Sequence, residues 1–439
     1  MCGLYFSTSN DAGKVDRKFL IRGPDFYNEE VNDNLSMSHS LLSLTGEFTP
    51  QPITVDKIKL IFNGQIYNYD KKRFLSDSYY IVEKYLLHKL DFWKKLDGEY
   101  AIVIYDENKG LVIFLTDIFG TKPMYYSIEN NKISVSSLKS SLELNGHKKI
   151  IKCSPNTIYQ YDLQTKKLSK IENYFKFNLD QYKSSFDDWN DKFHESISKR
   201  FNKLEHEIIL PLSSGHDSGA IACALKLLGI DFYSYSFFNN ENKKILAKRI
   251  FSRFVDAPFK TKFKNTLNNP IITKNLVEHL EINADEFFYG DTIENLTING
   301  KKDPGSIGLT YILNKTKKID KNIKIVASGQ GGDEIYSNNQ KYTFGLPNPE
   351  KFNENLEKLF PWQNFYFGSQ ISYLSKEESI GGSFGLETRY PFLDKALVQE
   401  YLNLKPKLKN MYYKSVITNY LMKHKYPFID DATKVGFSP

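Results

Sequence analysis

The sequence predicts two domains of different build, a β-rich α+β domain followed by an α/β domain with a doubly wound parallel sheet. Three observations predict this. The chain has 439 residues, and a single core stops growing near ~250–300 residues, so two or three domains are expected. Residues 1 to about 165 alternate short apolar stretches with polar turns, the pattern of stacked antiparallel sheets. Beyond about residue 180, apolar runs without alternation lead into helical segments, the pattern of buried parallel strands with crossover helices.

In the first region the expected strands centre on Leu4–Phe6, Lys59–Phe62, Tyr100–Tyr105, Leu111–Leu115, Met124–Tyr126 and Ile133–Val135. Glu107-Asn108-Lys109-Gly110 and Glu129-Asn130-Asn131 separate neighbours as turns. Tyr79 to Leu90 carries Ile81, Tyr85 and Leu86 at helical spacing. In the second region Phe186–Phe201 reads as a helix, Glu207–Leu210 as a strand and Gly219–Leu228 as a helix. Phe232–Phe237 (strand), Lys243–Phe254 (helix) and Ile323–Ala327 (strand) follow. The C-terminal third reads as mostly helical, and no internal repeat is present.

Hydrophobic residues make up 41% and charged residues 25% of the chain, as in ordinary globular proteins, which excludes collagen, coiled coil and low-complexity disorder. The net charge of +7 is spread along the chain; a nucleic-acid footprint needs clustered charge, so no nucleic-acid partner is expected. No apolar run reaches the ~18–20 residues of a membrane span. Met1-Cys2-Gly3-Leu4-Tyr5-Phe6-Ser7 has no basic n-region, so no secretory signal is expected. Three cysteines, Cys2, Cys153 and Cys223, make no disulfide framework. The expectation is a cytoplasmic protein.

Chemistry concentrates in loops. Leu212-Ser213-Ser214-Gly215-His216-Asp217-Ser218 lies between a buried strand and a helix. Small residues let backbone N–H groups approach an anion, and a helix N-terminus favours negative charge. A phosphate suits that loop. Asp217 would repel it directly, which implies a divalent cation between them. The bland alternative is a βα turn in which Asp and Ser cap the helix. Ser328-Gly329-Gln330-Gly331-Gly332-Asp333-Glu334 repeats the pattern after Ile323–Ala327. Two such loops could set Asp217 and Asp333 around one magnesium.

Cys2 is the third feature. If Met1 is removed, one residue carries a thiol and a free α-amine, which titrates near ~7.7–8.0 and can accept the thiol proton. Asn63-Gly64, after Leu60-Ile61-Phe62, could supply two oxyanion donors; alternatively Asn-Gly marks a type I′ hairpin turn.

Together these residues resemble the glutamine-dependent asparagine synthetase family. The shared blocks run in the family's order along nearly the whole chain: Met1-Cys2-Gly3, Arg22-Gly23-Pro24-Asp25, Asn63-Gly64-Gln65-Ile66-Tyr67-Asn68-Tyr69, Asp97-Gly98-Glu99-Tyr100-Ala101 and Asp117 to Tyr126. The two loops follow, then Glu387-Thr388-Arg389-Tyr390-Pro391-Phe392-Leu393-Asp394, Lys414 and Lys434-Val435-Gly436-Phe437. The resemblance implies an N-terminal-nucleophile hydrolase domain of αββα type over 2–170, acting as a class II glutamine amidotransferase. It implies an ATP-pyrophosphatase domain with a helical C-terminal part over 180–439. Cys2 would attack the glutamine side-chain amide, with Asn63 and Gly64 holding the oxyanion. Ammonia would pass to the second domain, where ATP adenylates a carboxylate, aspartate by default, and ammonia displaces AMP. ATP would be bound by Pro211, Ser213, Gly215, Asp217, Ser218, Phe237, Ser328 and Gly329. Mg²⁺ would sit on Asp217 and Asp333, and Glu334 and Lys414 at the reacting centre. Relatives often pair as homodimers through the first domain.

The chain departs from the family's pattern in places. Leu41, in His39-Ser40-Leu41-Leu42-Ser43-Leu44, stands where an arginine usually meets the glutamine carboxylate. A lost charge-assisted bond costs ~1.5–3 kcal/mol. Gln65 replaces a carboxylate for the glutamine ammonium, leaving Asp97 for that role. Ser214 replaces a glycine and adds a Cβ where a positive φ is expected, and His216 is expected to face outward. Residues 282–305, expected at the acceptor pocket, match the family poorly. Free ammonia as donor, a sugar acid or another small carboxylate as acceptor, and a degenerate nucleotide-binding regulator are the alternatives. Intramolecular amide closure is a further one, and Cys2 argues against it.

Overall fold

The computed structural model describes residues 1–9, 14–15, 17–32, 35–236, 241–255, 297–298, 301–302, 304–319, 321–338 and 351–429. Phe237, Lys434 to Phe437 and most of 282–305 lie outside them. The chain divides into two compact units. One holds Met1–Lys176 and also Leu374–Glu387; Phe177–Tyr373 for the most part, with Thr388 onward, makes the other.

The first unit is built on two six-stranded sheets. One contains β1 (Gly3–Ser7), β2 (Phe26–Asn32), β3 (Leu35–Leu41), β8 (Tyr125–Glu129), β9 (Lys132–Ser136) and β10 (Ile151–Lys152), in the order β10-β8-β9-β1-β3-β2. The other contains β4 (Ile53–Val55), β5 (Ile58–Ile66), β6 (Gly98–Asp106), β7 (Leu111–Thr116), β11 (Thr157–Asp162) and β12 (Lys167–Glu172), in the order β12-β11-β7-β6-β5-β4. The pairings are antiparallel. Asn130 and Asn131 both take positive φ between β8 and β9, as a tight hairpin turn requires.

Side-chain alternation decides the layering. Ile61, Val103, Val112 and Phe114 of the second sheet meet Leu4, Phe6, Met37 and Val135 of the first. Leu60, Phe62, Ile102, Ile104 and Leu115 point the other way, onto Ile81, Val82 and Tyr85 of helix α2 (Asp77–His88). On the outer face of the first sheet, Tyr5 and Tyr125 pack with Phe19 of α1 (Arg17–Arg22) and Leu142 of α3 (Lys139–Leu144). The layers are therefore helix, sheet, sheet, helix. Strands buried on both faces lose the apolar/polar alternation, which is why β6 and β7 read as continuous apolar runs.

In the second unit α4 (Asp187–Phe201) precedes β13 (Glu207–Pro211), α5 (His216–Leu227), β14 (Tyr233–Tyr235) and α6 (Lys243–Val255). Next come the short strands β15 (Thr297–Ile298) and β16 (Lys301–Lys302), then α7 (Pro304–Ile319), β17 (Ile323–Ala327) and α8 (Gly332–Tyr336). β13 pairs in parallel with β14 and β17, so the loops after β13 and β17 leave the sheet side by side. A short strand, β18 (Glu387–Arg389), neighbours β17.

Candidate functional site

In the first unit the site forms around Cys2, just before β1. The Cys2 backbone N–H donates to Asn63 Oδ1 at 2.8 Å, and the Leu42 N–H donates to its Sγ at 3.4 Å. Burial pushes the thiol up to about 11. With Met1 in place the Cys2 nitrogen is an amide and cannot serve as a base. The Met1 amine is buried, which lowers it to about 5, and it donates to the Leu386 carbonyl. Removal of Met1 would turn the nitrogen already held by Asn63 into an α-amine.

Asn63 and Gly64 lie inside β5, so they form no hairpin turn. Asn63 is fully buried; its Oδ1 is used, while Nδ2 has no hydrogen-bond partner in the structure. A buried amide donor left over beside a thiol suits an oxyanion. Gly64 has φ +131°, and a Cβ there would fall 2.0 Å from the Glu99 carbonyl oxygen. Only glycine fits.

A pocket beside Cys2 is lined by Leu41, Thr45, Gly64, Gln65, Asp77 and Glu387 among others. Leu41 and Gln65 thus stand where expected. Gln65 is fully engaged: its Oε1 accepts from Thr45, and its Nε2 donates to Asp77 at 3.0 Å. Asp97 is not among the lining residues; its own N–H donates to Asn68. Two buried carboxylates line the pocket, Asp77 and Glu387, and Asp77 carries no functional signal in the sequence. An acid in the first turn of a helix reads as a helix-dipole partner, but here it also receives the Ile66 N–H. Burial raises Asp77 to about 7.

The other shared blocks support this wall. Arg22 Nε donates to the Cys2 carbonyl at 3.4 Å, Asp25 receives the Ser43 N–H, and a Cβ on Gly23 would collide with the Ser40 backbone. Behind them the buried Lys122 bonds Glu378 at 2.8 Å and lies 3.8 Å from Glu99. Asp117 accepts N–H bonds from Tyr100, Phe119 and Thr121.

In the second unit the loop after β13 is cross-braced. Ser213 Oγ and Ser218 Oγ lie 2.8 Å apart, and Gly215 N–H donates to Ser213 Oγ. Ser214 is not among the positive-φ residues, so its Cβ brings no strain. Its N–H donates to Glu241 at 2.6 Å, its hydroxyl also donates to Glu241 and accepts from Asn242 N–H. Arg249 holds the Ser213 and Gly215 carbonyls. His216 does not face outward: it is buried against Tyr413 and Phe428. Pro211 ends β13 in register with Tyr235.

Asp217 and Asp333 converge. Lys414 Nζ reaches Asp217 at 2.5 and 2.7 Å and Asp333 at 2.9 Å. Burial works against that ammonium, but the two carboxylates hold it well above its ordinary value. Glycines permit the approach: a Cβ would lie 3.0 Å from Asp217 Cβ at Gly329 and 2.5 Å from Asp217 Oδ1 at Gly332. Ser328 N–H donates to the Arg389 carbonyl. Glu334 accepts from Gly331 N–H, which caps α8, and from Ser369 Oγ. Among the described residues no group of three or more His, Cys, Asp or Glu side chains could hold a metal. Two carboxylates already drawn to one cation fit Mg²⁺, which is commonly bound through one or two carboxylates plus substrate phosphates.

A family model described as a glutamine amidotransferase domain matches residues 1–177. A protein of Methanocaldococcus jannaschii named as a glutamine-hydrolysing asparagine synthetase is 27% identical over 411 residues, 86% of this chain and 70% of that one. One from Schizosaccharomyces pombe is 25% identical, covering 97% and 78%, and the Mesocricetus auratus protein is 24% identical, covering 93% and 78%. Residues 1–177 thus match a glutamine amidotransferase domain, and nearly the whole chain is similar to proteins named as glutamine-hydrolysing asparagine synthetases.

Proposed function

We propose that the chain is a glutamine-hydrolysing, ATP-dependent amide ligase, with aspartate as the default acceptor. Once Met1 is gone, the Cys2 amine takes the thiol proton and the sulfur attacks the glutamine δ-carbon. Asn63 Nδ2 and the Gly64 N–H bind the oxyanion. Ammonia leaves, and water cleaves the thioester to glutamate. In the second unit, whose parallel strands and paired loops support an ATP-pyrophosphatase fold, ATP adenylates the acceptor carboxylate and ammonia displaces AMP. Ser213, Gly215 and Ser218 would cradle phosphate, with Ser328 and Gly329 near adenosine. Asp217 and Asp333 would hold Mg²⁺, which neutralises charge on the departing pyrophosphate. Lys414 would offer its ammonium to the transferring phosphoryl group. The domain limits 2–170 and 180–439, a homodimer and a cytoplasmic location belong to the same proposal; no helix among the described residues is long and apolar enough to cross a membrane.

The observation that carries this is the buried, unpartnered amide nitrogen of Asn63, whose Oδ1 holds the Cys2 N–H. Cys2→Ala should abolish glutamine-driven amidation, measured as pyrophosphate and glutamate release, and spare amidation driven by ammonium chloride. Equal loss of both would refute a two-site enzyme.

A further inference from the structure

The donor pocket carries side chains of one charge sign. Among the described residues Glu47, Asp77 and Glu387 line it, and no lysine, arginine or histidine does. Asp77 and Glu387 are buried, and Glu47 is exposed. Leu41, at the end of β3, adds an apolar wall next to Cys2. The nearby basic groups Arg22 and Lys122 are engaged by other carboxylates: Arg22 lies 3.8 Å from Glu378, and Lys122 lies 2.8 Å from Glu378 and 3.8 Å from Glu99 and also feels the charge of Glu387.

An α-amino acid amide brings an ammonium and a carboxylate into this lining. The ammonium meets carboxylates, as charge complementarity requires. The carboxylate meets like charge, with no cationic side chain among the described lining residues. Lining hydroxyls, such as those of Ser43 and Ser78, serve a neutral carboxamide as well as a carboxylate.

Resting on the donor-site reading above, we propose that the pocket recognises its donor through the amino group alone. It accepts amine-bearing γ-carboxamides without a free α-carboxylate at least as well as free glutamine. The chemistry is unchanged. Sγ bonds to the δ-carbon, the C–N bond breaks, and ammonia leaves with the thiol proton. Water then cleaves the thioester and restores the thiol. Glutamine α-amide would yield isoglutamine and ammonia.

The test gives the full-length protein three donors: L-glutamine, L-glutamine α-amide and N-acetyl-L-glutamine. Ammonia and the acid product are measured for each. The α-amide should match or exceed glutamine in kcat/KM. N-acetylglutamine, which lacks the ammonium, should fall by about tenfold to a hundredfold, the loss expected for one charge-assisted bond. Leu41→Arg should swing the preference toward free glutamine by about tenfold. Asp77→Asn should lower kcat/KM for both amine-bearing donors by more than for N-acetylglutamine. A wild-type preference of about tenfold or more for glutamine over its α-amide overturns the inference and leaves the donor site standing. No hydrolysis of any donor, with ammonium-driven amidation intact, overturns the donor site itself.

Discussion

Asp77 and Asp217 are both acids in the first turn of a helix, α2 and α5. Their surroundings differ in one respect. Asp77 is held by neutral donors, the Gln65 amide and the Ile66 N–H, and burial raises it to about 7. Asp217 is gripped by the Lys414 ammonium, which also holds Asp333. At Asp77 the hydrogen bonds from neutral groups do not offset desolvation, whereas a nearby opposite charge favours the ionised form. Asp77 is therefore poised for a cationic guest, while the Asp217 and Asp333 pair already holds a cation that an incoming ion would have to replace.

The largest expected effect breaks that second arrangement. Lys414→Met leaves two converging carboxylates without their cation; removing one partner of a buried pair costs ~3–5 kcal/mol. Urea unfolding should show this loss, and millimolar Mg²⁺ should recover part of it. No recovery would count against a metal between the two loops. Next is Gly332→Ala, whose methyl would press on Asp217 Oδ1; overpacking of this kind costs ~1–3 kcal/mol, read as a fall in Tm with weaker ATP binding by calorimetry.

Asp77→Asn sharpens the other side. Because the folded Asp77 titrates at about 7 against an ordinary value of 3.8, the folded state binds more protons than the unfolded state between those values. Stability therefore falls as pH rises through that window, and the full cost is present above about 7. Asparagine does not titrate. The variant should gain on wild type by ~1–3 kcal/mol between pH 4 and pH 8, compared by urea midpoints at both pH values. A constant difference across pH would mean that Asp77 is not raised. The smallest effect is Ser214→Ala, which removes one hydroxyl bond to Glu241 and the one from Asn242; about 1 kcal/mol is expected, as a small fall in Tm.

Much of this was legible in the sequence for physical reasons. Period-two and continuous apolar runs located β5, β6, β7, β13 and β17, because burial on one or both faces writes itself into residue type. Loops rich in small residues located Asp217 and Asp333. Strands such as β2, with its Asn28-Glu29-Glu30 stretch, and β3, with three serines, carry no such imprint. Asp77 was missed because an acid that starts a helix looks the same whether it faces solvent or a pocket. Likewise, the family resemblance put Lys414 at the reacting centre beside Asp217 and Asp333, but the sequence carries no sign that its ammonium pairs with both carboxylates. Ser214 and His216 were misjudged because their partners, Glu241, Asn242, Tyr413 and Phe428, are distant in the chain.

Alternation along β5 bears on how this gene can change. Leu60 and Phe62 serve the helix side, Ile61 the sheet side, and Asn63 shares the face of Ile61. Insertion of one codon between Ile58 and Phe62 would swap those faces and turn the Asn63 amide away from Cys2. One codon added in the Glu107–Gly110 turn, at the far end of the β6/β7 hairpin, would leave every facing intact. Length variation in descendants of this chain should thus collect in the turn and be absent from the strand.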